Sequence, residues 1–162
     1  MKRKHIYPFL AIVLTLFCKS LHAQQIIAKR MPFIEELPSN EILDLHQDKD
    51  GFIWLGTKNG LGRYDGYQLQ SFRSDFNQPN LLTDNYVWCL SEDENCILIG
   101  TSKGFNLLDI RNYRISPFPH EKIGSAWIHD VMVATKVGIW VAVYSDLYHC
   151  HPEYSQRNCF DN

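Results

Sequence analysis

Between residues 40 and 150, short apolar runs alternate with polar turns, and no window keeps the 3.6-residue spacing of a long amphipathic helix. The pattern predicts strands over about Ile42–His46, Phe52–Thr57, Gly62–Asp65 and Tyr67–Arg73. Between them stand Asp48-Lys49-Asp50-Gly51, Lys58-Asn59-Gly60 and Asp65-Gly66. Asn-Gly and Asp-Gly between β-rich runs mark tight hairpins, because such turns need positive φ. Phe52-Ile53-Trp54-Leu55 is almost unbroken apolar sequence, as expected of a strand buried on both faces.

This pattern repeats. Ile53-Trp54-Leu55-Gly56-Thr57-Lys58-Asn59-Gly60-Leu61 returns 44 residues later as Ile97-Leu98-Ile99-Gly100-Thr101-Ser102-Lys103-Gly104-Phe105. A weaker copy, Ile139-Trp140-Val141-Ala142-Val143, follows after 42 more. Upstream, Ile42-Leu43-Asp44-Leu45 aligns with Tyr86-Val87-Trp88-Cys89 and with Ile128-His129-Asp130-Val131. Downstream, a two-residue insertion brings Tyr67, Leu69 and Phe72 opposite Tyr113, Ile115 and Phe118. Four short strands per period of about 40–45 residues is the spacing of β-propeller blades.

The expected fold is therefore all-β, an incomplete propeller of about three four-stranded antiparallel blades. Residues 1–23 read as a signal peptide and 24–36 as a lead-in. Blades are expected at 37–80, 81–123 and 124–162, the third degenerate and truncated. Trp54, Gly56, Thr57, Gly60, Gly100, Thr101 and Gly104 recur as structural positions. Gly56 and Gly100 fall where another backbone could approach closely.

Leu37-Pro38-Ser39-Asn40, then Asp48 to Thr57 (DKDGFIWLGT), then Gly60 to Gly66 (GLGRYDG), resembles the two-component-regulator propeller repeat. The resemblance spans about residues 32 to 150. It weakens in the second copy, where Asn95 aligns with Gly51 and Leu98 with Trp54, and in the third, where Ala142-Val143 replaces Gly-Thr. It implies a periplasmic sensor segment of a hybrid two-component receptor. An intact member adds more blades, a β-sandwich, a membrane span, a histidine kinase, a receiver and a DNA-binding domain. Kinase activity belongs to such a receptor and not to this chain, which reads as its N-terminal part or as a truncated gene product.

The N-terminus agrees with export. Met1-Lys2-Arg3-Lys4 is basic, Phe9 to Cys18 is an apolar core too short to span a bilayer, and Leu21-His22-Ala23 offers a small-residue cleavage site. The whole chain carries 16 basic and 18 acidic residues, and four of the basic ones lie in this leader. The remaining acidic excess argues against nucleic acid as a partner.

Catalytic, metal and cofactor sites are not expected. No nucleophile elbow, phosphate loop or zinc-protease helix occurs. Asp48-Lys49-Asp50 and Glu92-Asp93-Glu94 read as solvated turn acids, and Asp48 to Gly51 as an incomplete calcium loop. His149, Cys150 and His151 suggest zinc, but His149 and Cys150 point to opposite faces of a strand. Cys89 and Cys96 read as buried free thiols, and Cys150 and Cys159 as a pair able to bridge a hairpin.

Aromatic residues carry the functional expectation. Trp54 and Trp140 share a repeat position and read as core. Trp88 and Trp127, without aromatic counterparts in the repeat alignment, and Tyr86 are the candidate ligand contacts. Flat rings beside polar groups suit sugars, and the resemblance implies an oligosaccharide or another small periplasmic ligand. The remaining blades of a receptor and a second copy in a homodimer are the other partners expected. A non-sensing scaffold for another protein is the first rival, and a propeller lyase or glycosidase the second. Ligand loops from several blades converge in a propeller, so the isolated chain is expected to bind weakly at most.

Overall fold

A computed structural model describes residues 27–31, 34–75, 81–134 and 138–151. The leader 1–23 and Cys159 lie outside them. Residues 27–31 belong to a unit separate from the sheets and carry no regular structure. Among the described residues, helix is confined to a 3₁₀ turn at Ile34–Glu36.

Three antiparallel sheets follow in chain order. The first joins β1 (Ile42–Gln47), β2 (Ile53–Thr57), β3 (Gly60–Tyr64) and β4 (Leu69–Phe72). The second joins β5 (Val87–Asp93), β6 (Cys96–Thr101), β7 (Gly104–Asp109) and β8 (Ile115–Pro117). The third contains β9 (Ile128–Ala134), β10 (Gly138–Val143) and β11 (Asp146–Cys150). Each sheet is a meander in sequence order, and β1, β5 and β9 are neighbours from sheet to sheet. These are propeller blades side by side, with β1, β5 and β9 innermost. The ring is not closed.

The turns explain the repeat. Thr57 Oγ1 donates to the Gly60 carbonyl (2.7 Å) and accepts from the Asn59 N–H (3.1 Å). Thr101 does the same with Gly104 and Lys103. Gly60 sits at φ +128°, where a Cβ would also strike the Phe72 carbonyl oxygen at 2.6 Å. In the first two blades a hydroxyl completes the turn and a glycine permits its backbone, whereas the third closes the same hairpin with Val143 opposite Asp146.

Packing between blades explains Gly56 and Gly100. A Cβ on Gly56 would lie 3.0 Å from Val87 Cγ1 and 3.1 Å from the Val87 carbonyl oxygen. One on Gly100 would overlap Cys89 Sγ and lie 2.7 Å from Ile128 Cγ2. The innermost strand of each following blade therefore seats a β-branched residue on the glycine of the blade before it. Two buried clusters result. One runs through Trp54, Leu61, Val87, Leu90, Ile97 and Ile99, the other through Leu98, Phe105, Ile128, Val131, Ile139 and Val141.

The inner strands correct the sequence alignment by one residue. Ile42 pairs with Thr57 and Val87 with Thr101, each followed by a bulge before Asp44–Gly56 and Cys89–Gly100. Ile42, Val87 and Ile128 are thus equivalent, as are the bulged Leu43, Trp88 and His129. The cause is the next turn. Three residues, Lys49 to Gly51, lie beyond the Asp48–Phe52 contact, but only Glu94 and Asn95 lie beyond the Asp93–Cys96 pair. The positive φ of Gly51 (91°) passes to Glu94 (49°), not to Asn95.

Two acids expected in solvent are structural instead. Asp48 is only 5% exposed and accepts from the Asp50 and Phe52 N–H groups and from Trp54 Nε1 (2.8 Å). Glu92 accepts from the Lys49 N–H (3.0 Å) and lies 3.4 Å from His46 Nε2, joining the first two blades. Trp54 is fully buried, whereas Trp140 is half-buried and stacks on His149 at 4.3 Å, since no described sheet covers its face. Cys89 is a buried free thiol, but Cys96 is disulfide-bonded, contrary to expectation. Cys150 is free and buried.

Candidate functional site: an aromatic shelf at one end of the blades

The starts of β5 and β9 carry matching aromatic pairs. Tyr86 precedes Val87 and Trp88 follows it; Trp127 precedes Ile128 and His129 follows it. The corrected register makes Tyr86 equivalent to Trp127 and Trp88 to His129, so both tryptophans do have aromatic counterparts. The first blade has Glu41 and Leu43 at these positions. The signal was legible as Tyr-Val-Trp and Trp-Ile-His, 41 residues apart, and the one-residue shift hid it.

The bulge brings these rings together. An extra residue in the inner strand turns Trp88 and His129 out of the alternation that buries their neighbours. Tyr86 lies 4.8 Å from Trp88, ring centre to ring centre, and Trp88 lies 5.6 Å from Trp127. Trp127 stacks on His129 at 4.6 Å, and Tyr144 lies 6.5 Å from Trp127 and 6.3 Å from His129. All three sequence-selected candidates thus fall in one five-ring group, which His129 and Tyr144 complete. Tyr144 was missed because it lies in the β10–β11 turn, where the repeat has Lys58 and Ser102.

The shelf is half open. Trp127 is 39% and Tyr144 81% exposed, while Tyr86 and Trp88 are half-buried. Apolar ring surface removed from water is worth about 25 cal/mol per Å², so a ligand laid on the exposed part of these rings gains binding energy. Polar groups edge the rings. Trp88 Nε1 donates to Ser102 Oγ (3.0 Å), and the Ser102 N–H donates to the Tyr86 carbonyl (3.1 Å). The Lys58 ammonium lies 6.0 Å from the centre of the Tyr86 ring and pairs with Glu41. Lys103 pairs with Asp84 at 2.9 Å, and Asp84 accepts the Tyr86 N–H.

Beside the shelf, Asp44, Cys89 and Asp130 occupy the same position on the three inner strands. Asp44 Oδ2 accepts the Leu90 N–H (2.7 Å) and so bridges the first two blades. Burial, with Asp130 and Asp44 adding to it, pushes the Cys89 thiol up to about 12. The thiol is therefore neutral and inert as a nucleophile. Among the described residues no group of three His, Cys, Asp or Glu side chains could hold a metal ion, and no helix is long and apolar enough to cross a membrane.

The model of the two component regulator propeller family matches residues 36–59. That span covers the Leu37–Asn40 lead, β1, the Asp48 turn and β2, and ends in the turn before β3. Over 74 residues, 44% of its length, the chain is 31% identical to histidine kinase P4 of Formosa agariphila, of which it spans 5%. In fold it is similar to the extracellular domain of a hybrid two-component system from B. thetaiotaomicron, with a TM-score of 0.60 and 20% identity over 77% of this chain and 20% of that one. It is also similar to virginiamycin B lyase from Staphylococcus aureus, with a TM-score of 0.50 and 14% identity over 78% of this chain and 45% of that one. These two likenesses establish the propeller fold, which a sensor region and an enzyme share.

Proposed function

We propose, for a chain that carries the two component regulator propeller repeat, that it forms part of the exported, periplasmic ligand-sensing propeller of a hybrid two-component regulator. The signal it reads is an oligosaccharide. The observation carrying this reading is the shelf of Tyr86, Trp88, Trp127, His129 and Tyr144, five rings on adjacent blades with hydroxyl, amide and charged groups at their edges. Pyranose rings present flat C–H faces to such rings and equatorial hydroxyls to such edges. The chain acts by binding and not by catalysis. Occupancy favours one arrangement of a dimeric receptor, and the difference in affinity between arrangements sets the change in kinase output. Its further partners are the remaining blades and a second receptor copy.

The test is calorimetric titration of a panel of oligosaccharides into the exported region of the receptor that contains these blades. Saturable binding that Trp127→Ala and Trp88→Ala abolish is the expected result. An exported region that binds no glycan and instead captures a protein through the same rings would replace the sensor with a scaffold, since exposed Trp and Tyr also serve protein contacts.

A further inference from the structure

The charges around the shelf do not balance. Four carboxylates stand at its edge or on the three adjacent inner strands: Glu41, Asp84, Asp44 and Asp130. Two ammonium groups face them. Lys58 is engaged by Glu41, and Lys103 by Asp84. Among the described residues, Asp44 and Asp130 pair with no cation and bind the backbone N–H groups of Leu45, Leu90 and Val131. Burial is the main cause that holds the Cys89 thiol protonated, and the Asp130 and Asp44 carboxylates add to it. Cys89 stands next to Trp88 on β5, between Asp44 and Asp130 at the same position of the neighbouring inner strands. A half-open, partly desolvated surface screens the field of these carboxylates less than bulk water does.

We infer that the aromatic shelf accepts uncharged oligosaccharides and turns away those bearing uronate or sulfate groups. This rests on the reading of the shelf as a sugar site and adds the charge class of its ligand. An anionic sugar laid on Trp127 lies on the strand that carries the exposed Asp130, one residue beyond His129 on β9. To gain a cation it must draw Lys58 or Lys103 away from a carboxylate and leave that carboxylate exposed to its own charge. A neutral sugar meets neither cost. Asp44 and Asp130 are the specificity-determining residues, acting through their field and not through contact with the sugar.

Two measurements test this. In the 162-residue chain, Trp127 fluorescence is isolated as the difference between wild type and Trp127→Phe, and quenching by iodide, caesium and acrylamide is compared with the same quenchers on a free tryptophan derivative. The expected result is quenching biased toward caesium, with the bias reduced in Asp130→Asn. That variant keeps an oxygen for the Val131 N–H and changes an exposed residue, so the fold is kept. A bias toward iodide overturns the inference without any ligand. In the exported region of the receptor, neutral, uronate-bearing and sulfated oligosaccharides of equal length are then titrated. Neutral binding tighter by about tenfold or more is expected, with the gap narrowed in Asp130→Asn. Equal or tighter binding of the anionic sugars overturns this inference and leaves the sugar site standing. Binding of no sugar at all removes the site itself and the inference with it.

Discussion

Gly100 offers the sharpest test of how the blades pack. Its Cβ position overlaps Cys89 Sγ and lies 2.7 Å from Ile128 Cγ2 and 3.0 Å from Ile128 Cβ. Both neighbours are fixed: Cys89 pairs with Gly100 on the adjacent strand, and Ile128 is fully buried between blades. Gly100→Ala must therefore push two inner strands apart, an overpacking that costs about 1–3 kcal/mol. Removing a glycine also restricts the unfolded chain and returns about 0.4–1 kcal/mol. The net expectation is a loss of about 1–2 kcal/mol. Gly56→Ala is the control. Its nearest neighbours, at 3.0 and 3.1 Å, need yield only a few tenths of an ångström, so the two terms come close to cancelling. Adding Cys89→Ala to Gly100→Ala removes the worst overlap and should recover part of the loss, a positive coupling in a double-mutant cycle. Urea unfolding with the Cys96 disulfide intact measures all five proteins (wild type, Gly100→Ala, Cys89→Ala, their double variant and Gly56→Ala), and the slope should not change. The reasoning fails if Gly100→Ala leaves the midpoint unmoved, or if Gly56→Ala costs more than Gly100→Ala.

Gly56→Val, with a larger side chain against Val87, should cost about 1–3 kcal/mol in the same assay. Asp48→Ala strands the Trp54 indole N–H and two turn N–H groups and should cost at least about 1–3 kcal/mol, while a midpoint equal to wild type would return Asp48 to the role of a solvated turn acid. The Cys89 thiol should resist iodoacetamide at pH 8.5 in the folded chain. Its folded value of about 12 lies above the ordinary 9.0, so the stability it contributes is whole below pH 9 and is lost between pH 9 and 12. Cys89→Ala should flatten that alkaline limb of the stability profile, and an unchanged limb would mean that another group causes it.

The sequence alone determined the blade. Asn59-Gly60 and Lys103-Gly104, each after a threonine, specify where the chain must reverse, because only glycine tolerates the backbone that those hairpins need. The 44-residue return of that hairpin then specifies the first two sheets and their order, and the weaker apolar copy at Ile139–Val143 marks the third. These are local constraints, set by residues a few positions apart, and a linear reading captures them. Three things it did not capture depend on residues that are distant in sequence or on one residue of slack. The one-residue difference between the Lys49–Gly51 and Glu94–Asn95 turns shifts the inner strands, and only hydrogen-bonded register reveals that Tyr86 and Trp127 are the same position. The burial of Asp48 depends on the Trp54 indole folding back over the turn, which no spacing rule foretells. The shelf itself exists because β-bulges in β5 and β9 turn Trp88 and His129 outward and because neighbouring blades bring those strands side by side, joining Tyr144 from a turn position where the repeat has Lys58 and Ser102. Sequence fixes which rings are available, and the packing of one blade on the next decides which of them meet.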